Sequence, residues 1–330
     1  MLKKGRGIAA SWYGTGYGNG FPDVSIATIE LKADGDVIFR VGASEVGQGA
    51  KTIMPQIGAE VLNMSIDHVE MICEDTREFK DSGTAAASRQ TYNTGNALKL
   101  ACESFKKEMY KEAMGVMELN APIGLEMDDQ EIFLAMLPEK KTTFKAVAEK
   151  LAANNRELIV TESFTAQTTH MDPETGQGAP YWPYTFNCYG VELEVDTGTG
   201  RVHVTRAVCA QDVGRAINPE LCEGQIDGGF VMGLGYALFE DLGLKNGEIK
   251  NNKFTKYIIP TSMDIPVIEK IIVEDPEETA PYGAKGIGEP VMVPVAPAIL
   301  NAIYDAIGVR ITTLPASPDV ILAALADKED

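Results

Sequence analysis

The sequence predicts an α+β protein with two subdomains. Two pairs of segments alternate apolar and polar residues as antiparallel hairpins do, and six other segments repeat apolar residues at helical spacing. These elements do not follow the repeated strand–helix–strand order of a doubly wound parallel sheet. A chain of 330 residues is long enough for two domains of ordinary size. We predict one subdomain over residues 1–175 and a second over residues 176–330.

Both hairpins are indicated by alternation on either side of a turn that contains glycine. In the first hairpin, residues 26–31 and 37–41 are rich in β-branched side chains and flank the turn at residues 33–36. In the second hairpin, residues 191–195 and 201–206 alternate in the same way around two glycines. Each pair is therefore expected to form two neighbouring antiparallel strands.

Helices are predicted where apolar residues recur every three or four positions. The segment at residues 223–242 is rich in glycine for a helix, which indicates that other backbone or a ligand approaches it closely. Residues 120–140 and 170–183 have turn-forming composition and are predicted to be loops, the second of them at the subdomain boundary. The predicted helices cover residues 50–63, 91–117, 143–154, 223–242, 293–307 and 318–326.

Residues 1–20 are rich in glycine, and their pattern predicts neither a strand nor a helix. A dinucleotide fingerprint would need a preceding apolar strand, G-x-G-x-x-G spacing and a following helix. Phe21-Pro22-Asp23 follows the glycines instead. This pattern excludes a Rossmann nucleotide site at the N-terminal segment.

The charge of the chain excludes several classes of function. The chain has 29 Lys and Arg against 48 Asp and Glu, which gives a formal net charge of −19. Such an acidic surface repels phosphate backbones and anionic lipids, so neither a nucleic acid nor a membrane is an expected partner. No apolar segment approaches the roughly 20 residues that span a bilayer, and no signal peptide is visible. We therefore expect a cytoplasmic protein.

The five cysteines and three histidines are dispersed along the sequence. No cysteine pair has the C-x-x-C spacing of zinc or iron–sulfur sites, so we expect buried, reduced thiols. The spacing also predicts that the chain itself supplies no metal ligand.

Residues 44–50, Ser-Glu-Val-Gly-Gln-Gly-Ala, have the composition of a ligand loop. Gly47 and Gly49 allow the backbone to approach a ligand, and the amide of Gln48 can both donate and accept hydrogen bonds. The helix that follows offers its first N–H groups to an anion. Taken alone, such a segment is most often the ordinary start of a helix.

Three further segments combine small residues with one or two polar side chains at a helix. In residues 83–91, Ser88 can cap the helix, while Arg89 and Gln90 can reach a phosphate or the polar edge of a heterocycle. Gln225 lies on the glycine-rich helix, and the last segment covers residues 283–290. Periodicity alone indicates no more than an acidic α+β protein with an anion-binding site.

In their order along the chain, these segments resemble the molybdenum hydroxylases of the xanthine dehydrogenase and aldehyde oxidoreductase family. The resemblance covers nearly the whole chain and matches the C-terminal half of the family's molybdopterin-binding region. It implies a molybdenum-cofactor-binding fold of that type, divided over both subdomains. The matching segments are Glu45-Val-Gly-Gln-Gly49, Gly83-Thr-Ala-Ala-Ala-Ser-Arg-Gln90, Asp212-Val-Gly-Arg-Ala-Ile-Asn-Pro219 with Gln225, and Lys285-Gly-Ile-Gly-Glu-Pro290.

The resemblance implies a role for each matching residue. Glu289 matches the catalytic glutamate, a general base beside the molybdenum, and its expected place at the start of the last long helix favours an ionised carboxylate. Gln225 matches a glutamine that contacts the cofactor near the metal. Tyr13 and Tyr17 fall where relatives carry aromatic substrate-pocket residues. The residues that match cofactor loops are Gln48, Gly49, Ser88, Arg89, Gln90, Lys285 and Gly286.

The implied reaction is the hydroxylation of an N-heterocycle with water as the oxygen source. Among split members of the family, the chain is most similar to the medium molybdopterin subunit of nicotinate dehydrogenases, which implies conversion of nicotinate to 6-hydroxynicotinate. The implied cofactor is molybdenum–molybdopterin, expected as the cytosine dinucleotide with a terminal sulfido or selenido ligand. Because this chain cannot ligate an iron–sulfur cluster, electrons must leave through partners.

The implied partners are a large molybdopterin subunit, an Fe–S subunit with its clusters and a subunit that carries FAD. Met1 stands where the second half of the family's molybdopterin region begins, so we expect a split gene.

Three alternatives stay open, one of substrate and two of another class of function. The substrate is alternatively xanthine or another purine, or an aldehyde, because part of the pocket belongs to the half that this chain lacks. A non-catalytic scaffold or cofactor-delivery subunit is an alternative of another class, against which the retained Glu289 argues. The third is an unrelated anion-binding α+β protein.

Overall fold

The computed structural model describes residues 1–18, 21–121 and 124–329 of the chain. Strands and helices are mixed along the sequence without a repeated order, so the α+β prediction is confirmed. The strands are β1 (Leu2–Gly14), β2 (Val24–Leu31), β3 (Val37–Val41), β4 (Val69–Ile72), β5 (Leu125–Asp128), β6 (Glu131–Leu134), β7 (Leu137–Thr143), β8 (Ile159–Thr165), β9 (Tyr184–Asp196), β10 (Val202–Asp212), β11 (Leu244–Lys245), β12 (Glu248–Ile249) and β13 (Val267–Val273). The helices are α1 (Ala50–Leu62), α2 (Gly95–Met117), α3 (Phe144–Ala153), α4 (Pro219–Leu238), α5 (Val295–Ile307) and α6 (Pro318–Glu329).

The chain forms two compact units, and each unit is assembled from separate segments. Unit 1 contains residues 1–13, residues 184–275 and the residues from 287 onward, while unit 2 contains residues 14–183 and 276–286. The sequence analysis placed two contiguous subdomains on either side of residue 175. The difference arises because β1 pairs with β9, a pairing between distant segments that no local pattern reveals. The assignment of two cofactor-binding subdomains stays a prediction.

Unit 2 is built on a sheet with the strand order β4-β3-β2-β8. Strands β2 and β3 are antiparallel, with Ile29 opposite Phe39, which confirms the first predicted hairpin. Helices α1 and α2 pack together, and α2 also packs on β2 and β8. The apolar residues that predicted α2, among them Leu98 and Phe105, are fully buried against this sheet. A π-helical turn at Gln90–Thr94 leads into α2.

A second sheet of unit 2 contradicts the sequence analysis. Residues 120–140 were expected to be a loop, but β5, β6 and β7 form an antiparallel three-stranded sheet there. β5 and β6 have only four residues each, which is too short for alternation to be recognised. The turn between them contains Asp129 and Gln130, both with positive φ. The loop predicted at residues 170–183 is confirmed, because β8 ends before it and β9 begins after it.

Unit 1 is built on a sheet with the strand order β1-β9-β10-β13. β9 and β10 are antiparallel, which confirms the second predicted hairpin, and β13 runs parallel to β10. Helix α5 lies very close to β1, since a Cβ on Gly5 would lie 2.1 Å from the carbonyl oxygen of Ala302. No strand or helix was predicted for the glycine-rich residues 1–20. In the structure, glycines of this segment lie on strand β1 and face helix α5.

Two further expectations concern the helices and the cysteines. Among the described residues, no helix is long and apolar enough to cross a membrane. All five cysteines are free thiols, but only Cys73, Cys102 and Cys209 are buried as expected, while Cys188 and Cys222 are half-buried. Removal from solvent raises the pKa of Cys209 and of Cys222 to about 11. These two thiols are therefore neutral at physiological pH.

Candidate functional site

The loop before α1 is closed by a carboxylate of its own. Oε1 of Glu45 accepts hydrogen bonds from the backbone N–H groups of Gly47 at 2.7 Å and Gly49 at 3.0 Å. Oε2 accepts a third from Lys51 at 3.0 Å. Burial alone would raise the pKa of Glu45, but the backbone donors outweigh it and the pKa lies below its usual value. Glu45 thus already binds one N–H group of the first turn of α1, that of Lys51, and two N–H groups of the loop before it.

Two of the predicted ligand loops meet through their glutamines. Nε2 of Gln48 donates to Oε1 of Gln90 at 2.6 Å and to the carbonyl oxygen of Ser44 at 2.8 Å. Oε1 of Gln48 accepts from the N–H group of Val46 at 2.7 Å. Both glutamines are half-buried, so their amides form a joined polar surface with part of each side chain accessible.

Arg89 lies inside unit 2 and does not face solvent. Its side chain is 0% exposed, and its Nε pairs with the carboxylate of Asp23, which is also buried. A guanidinium has five N–H groups, and all five find partners within the protein. The remaining acceptors are the carbonyl oxygens of Ser82 (2.7 Å), Thr84 (3.3 Å) and Val24 (2.8 Å) and the hydroxyl of Ser25 (2.9 Å). The expectation that this guanidinium reaches a phosphate is corrected, because its hydrogen bonds shape the loop instead.

The loop at residues 83–90 is strained where it meets a third predicted segment. Ala87 and Ser88 both have left-handed backbone conformations, with φ of 58° and 53°. Residues other than glycine adopt this conformation only at a cost in free energy. A Cβ on Gly286 would lie 1.7 Å from the carbonyl oxygen of Ser88, so only glycine fits there. Lys285 beside it is buried. The structure thus joins the segment at residues 285–286 to the loop of Ser88 and Gln90.

The two predicted substrate-pocket tyrosines belong to different units. Tyr17, in unit 2, accepts a hydrogen bond at its hydroxyl from the N–H group of Thr84 at 2.9 Å. The guanidinium of Arg89 lies 5.3 Å from the centroid of the Tyr17 ring. Tyr13 lies near the end of β1, in unit 1.

Glu289 lies in unit 1, in a turn that precedes α5. Its carbonyl oxygen accepts a hydrogen bond from the N–H group of Met292 at 3.0 Å, and the residue is half-buried. The sequence analysis placed Glu289 at the start of the last long helix, but α5 begins only at Val295. Because the field of a helix terminus fades beyond the first turn, the dipole argument for Glu289 is wrong.

Helix α4 approaches the same turn closely. A Cβ on Gly229 would lie 2.4 Å from Cγ2 of Val291, two residues after Glu289. Gln225 lies one helical turn before Gly229 and therefore on the same side of α4. The prediction that this glycine-rich helix is closely approached is confirmed at Gly229.

Other glycines of α4 differ in their surroundings. A Cβ on Gly233 would lie 2.4 Å from Cβ of Val295, which is a second close contact with α5. A Cβ on Gly224 or on Gly228 would have no neighbouring atom within 4 Å. The helix therefore presents one packed and one open row of glycines.

A buried polar group that was not predicted from the sequence lies beside Glu289. Asn187 of β9 and Gln211 of β10 are 5% and 0% exposed, and Nδ2 of Asn187 donates to the carbonyl oxygen of Pro290. Its position in the strand could have revealed Asn187, since every second residue of β9 from Tyr189 onward faces inward and Asn187 lies on that same side. A polar residue at a core position of a strand indicates a buried network rather than a surface.

The candidate residues offer amides in unit 2, at Gln48 and Gln90, and a carboxylate in unit 1, at Glu289. Over residues 1–18, 21–121 and 124–329, no group of three or more His, Cys, Asp or Glu could hold a metal ion. Amides of this kind recognise the polar edges of heterocycles by donating and accepting hydrogen bonds.

Comparisons with known proteins show the family to which the chain belongs. The family model of the molybdopterin cofactor-binding domain matches residues 1–266. The xanthine dehydrogenase molybdenum-binding subunit of Escherichia coli O157:H7 is 33% identical over 326 residues, covering 96% of this chain and 41% of that protein. The 6-hydroxypseudooxynicotine dehydrogenase complex subunit gamma of Paenarthrobacter nicotinovorans is 30% identical over 303 residues, or 89% of this chain and 37% of that protein.

A solved structure matches the fold over almost the same length. The aldehyde oxidoreductase of Desulfovibrio gigas superposes with a TM-score of 0.82 at 31% identity, covering 98% of this chain and 33% of that one. The chain therefore spans about two fifths or less of the length of these relatives. On this evidence the chain belongs to the molybdopterin cofactor-binding domain family of the xanthine dehydrogenases and aldehyde oxidoreductases.

Proposed function

We propose that the chain is the molybdopterin-binding subunit of a multi-subunit hydroxylase that oxidises an N-heterocycle with water as the oxygen source. Nicotinate, converted to 6-hydroxynicotinate, is the first candidate substrate. The observation that carries the proposal is the half-buried Glu289, fixed in an anchored turn of a chain from the molybdopterin-binding family. A relative that is a 6-hydroxypseudooxynicotine dehydrogenase subunit supports a nitrogen-containing substrate.

The residues present fit a pterin cofactor. Such a group offers heterocycle edges and phosphates, which need amide groups and backbone that it can approach closely. Unit 2 supplies the joined amides of Gln48 and Gln90, and Gly47 has no atom within 4 Å of its Cβ position. Unit 1 supplies Gln225 beside the open position of Gly228.

In the proposed mechanism, Glu289 is the general base. When bound, the molybdenum–pterin group would supply the acceptor for the hydrogen and the electron pair of the ring C–H bond that breaks. The carboxylate of Glu289 takes up the proton released as the oxygen of water is transferred to the ring carbon. A positioned general base contributes about 10²–10⁴-fold to the rate.

The other residues of the proposed site hold the cofactor or shape its loops. We assign Gln48, Gln90 and Gln225 to direct contacts through their amides. Gly49, Ser88, Lys285 and Gly286 contribute the backbone and side chains of the loops around them. Arg89 acts through the loop that it shapes, and Tyr13 and Tyr17 are assigned to the substrate pocket.

The proposed cofactor form and partners follow the family. We propose the cytosine dinucleotide of molybdopterin with a terminal sulfido or selenido ligand. The partners are a large molybdopterin subunit, an Fe–S subunit and an FAD subunit, and a relative that is a complex subunit gamma supports such an assembly. Five free thiols support a reducing compartment, which we take to be the cytoplasm.

A purine or an aldehyde is the second candidate substrate. Relatives that are a xanthine dehydrogenase subunit and an aldehyde oxidoreductase support these classes. A scaffold or cofactor-delivery subunit is the alternative without catalysis.

The experiment that tests the proposal is analysis of the complex that co-purifies with this chain. We expect molybdenum in the complex, and oxidation of nicotinate with ¹⁸O taken from labelled water. Turnover of xanthine or of an aldehyde, without turnover of nicotinate, would contradict nicotinate and favour the second substrate class. Molybdenum without turnover of any of the three would indicate a scaffold, and a complex without molybdenum would contradict cofactor binding.

A further inference from the structure

A buried set of hydrogen bonds ends on the turn that carries Glu289. Oδ1 of Asn187 accepts a hydrogen bond from Oγ of Ser11 at 2.6 Å. Its Nδ2 donates to Oε1 of Gln211 at 3.1 Å and to the carbonyl oxygen of Pro290. Both N–H bonds of this amide and its oxygen are therefore in use. The amide has one orientation that satisfies all three partners.

The orientation of Asn187 is fixed from behind by Gln211. Nε2 of Gln211 donates to Oγ1 of Thr185 at 2.9 Å and to the carbonyl oxygen of Asp212 at 2.7 Å. The hydroxyl of Thr185 donates to that same carbonyl oxygen at 2.6 Å. Because both N–H bonds of Gln211 point that way, its oxygen faces Asn187. Directional bonds thus run from β10 through β9 to the turn.

The Pro290 carbonyl controls the backbone next to the proposed base. The ring of Pro290 fixes its φ, and the hydrogen bond from Asn187 fixes the direction of its carbonyl group. Val291, the next residue, is fully buried against Gly229 of α4. Glu289 therefore projects from a turn whose following peptides are held by one hydrogen bond and one packing contact.

We infer that Asn187 is a positioning residue for Glu289, an inference that rests on the proposed function. Asn187 acts through the Pro290 carbonyl. If its amide is removed, that buried carbonyl loses its donor and the turn is free to shift. A misplacement of roughly 1 Å at a reacting group costs as much as about 10²-fold in rate.

The test compares Asn187→Leu with Thr185→Val in the complete complex. Both changes remove a buried hydrogen-bonding group from the same set, but only the first removes the donor to Pro290. For Asn187→Leu we expect kcat to fall by about 10–10²-fold, with KM and molybdenum content kept. Hydrogen exchange measured by mass spectrometry should rise in the peptide that covers residues 287–294. Thr185→Val loosens only Gln211 behind Asn187 and leaves the donor to Pro290 in place, so it should change kcat and this exchange by a much smaller factor than Asn187→Leu.

Equal effects of the two variants on exchange at residues 287–294 and on kcat would overturn the inference. Ser11→Ala is the milder variant if Asn187→Leu does not fold, because it removes only the group that orients the Asn187 oxygen. We expect Ser11→Ala to change exchange and kcat in the same direction by a smaller factor, and no change in either would overturn the inference. Full turnover of Glu289→Gln would defeat the proposed function, while the exchange comparison would still decide what holds the turn.

Discussion

At the scale of single residues, Glu45 decides what its loop is able to bind. The first N–H groups of a helix attract anions, and the sequence pattern of this loop is typical of a phosphate site. In the structure the carboxylate of Glu45 already accepts hydrogen bonds from Gly47, Gly49 and Lys51. The amides of Gln48 and its partner Gln90 are half-buried and stay partly accessible to a ligand. The loop is therefore suited to a polar heterocycle edge rather than to a second anion.

The first prediction concerns the stability that Glu45 provides. Glu45→Ala should lower the free energy of unfolding by about 1 kcal/mol, the usual net contribution of a hydrogen bond, as measured by urea denaturation. Glu149→Ala, on an exposed position of α3, is the control and should change it little. Because the folded-state pKa of Glu45 is lowered, its contribution is present above the unfolded value near 4.5. The difference between wild type and Glu45→Ala should shrink as the pH falls below that value, and a difference that grows on acidification would contradict this account.

The second prediction concerns the buried pair of Arg89 and Asp23. Asp23→Asn leaves a fully buried guanidinium without its carboxylate, and such a loss costs about 3–5 kcal/mol. Asp75→Asn makes the same chemical change in the exposed pair with Arg77 and should change stability little. Chemical denaturation of the two variants measures the contrast. Equal stabilities would show that Arg89 does not shape its loop.

The site was predictable from sequence where its chemistry is local. Gln48 and Gln90 lie in short polar segments before helices, and the structure joins their side chains. The role of Arg89 was not predictable, because its acceptors include Val24 and Ser25, far away along the chain. Asn187 was missed because one polar residue within an apolar alternation carries no signal of its partner.

At the scale of elements, the structure explains why Glu289 does not belong to a helix. The predicted helix began near residue 293 and the structure starts α5 at Val295, after Pro294. Residues 288–294 form turns. The N–H group of Met292 donates a hydrogen bond to the carbonyl oxygen of Glu289, and the N–H group of Val295 donates to that of Met292. A carboxylate on such a turn is held by the contacts of the next residues, and not by the field of the helix.

The third prediction uses two neighbouring glycines of α4. Gly229→Ala places a Cβ 2.4 Å from Cγ2 of Val291, so Val291 and its turn must move. Gly228→Ala adds the same atom where nothing lies within 4 Å, and alanine is favoured over glycine in a helix by roughly 1 kcal/mol. Thermal denaturation should show Gly229→Ala to be destabilised and Gly228→Ala to be unchanged or stabilised. The reverse order would contradict the packing of α4 on this turn.

Elements with a clear local period were predicted, and those defined by distant partners were not. The two hairpins and α1, α2, α3 and α5 lie within a few residues of their predicted bounds. α4 begins four residues earlier than predicted, because Asn218 accepts from the N–H group of Leu221 and caps the helix before Pro219. β1 was missed because the glycines that suit its contact with α5 mask its alternation.

At the scale of the whole molecule, the fold joins segments that are far apart in sequence. Residues 1–13 belong to the same unit as residues 184–275, and residues 276–286 belong to the other unit. The proposed cofactor residues follow this division, with Gln48, Ser88, Gln90 and Gly286 in unit 2 and Gln225 and Glu289 in unit 1. The alternation and helical spacing of apolar residues predicted the fold class, but no local pattern reveals how such segments are combined.

The fourth prediction tests the central claim that Glu289 is the general base of a molybdenum hydroxylase. In the complete complex, Glu289→Gln keeps the size of the side chain and removes its capacity to accept a proton. We expect kcat for the substrate that the complex oxidises to fall by about 10²–10⁴-fold, while the molybdenum content stays that of the wild type. Near-normal turnover in a fully loaded Glu289→Gln complex would contradict the account.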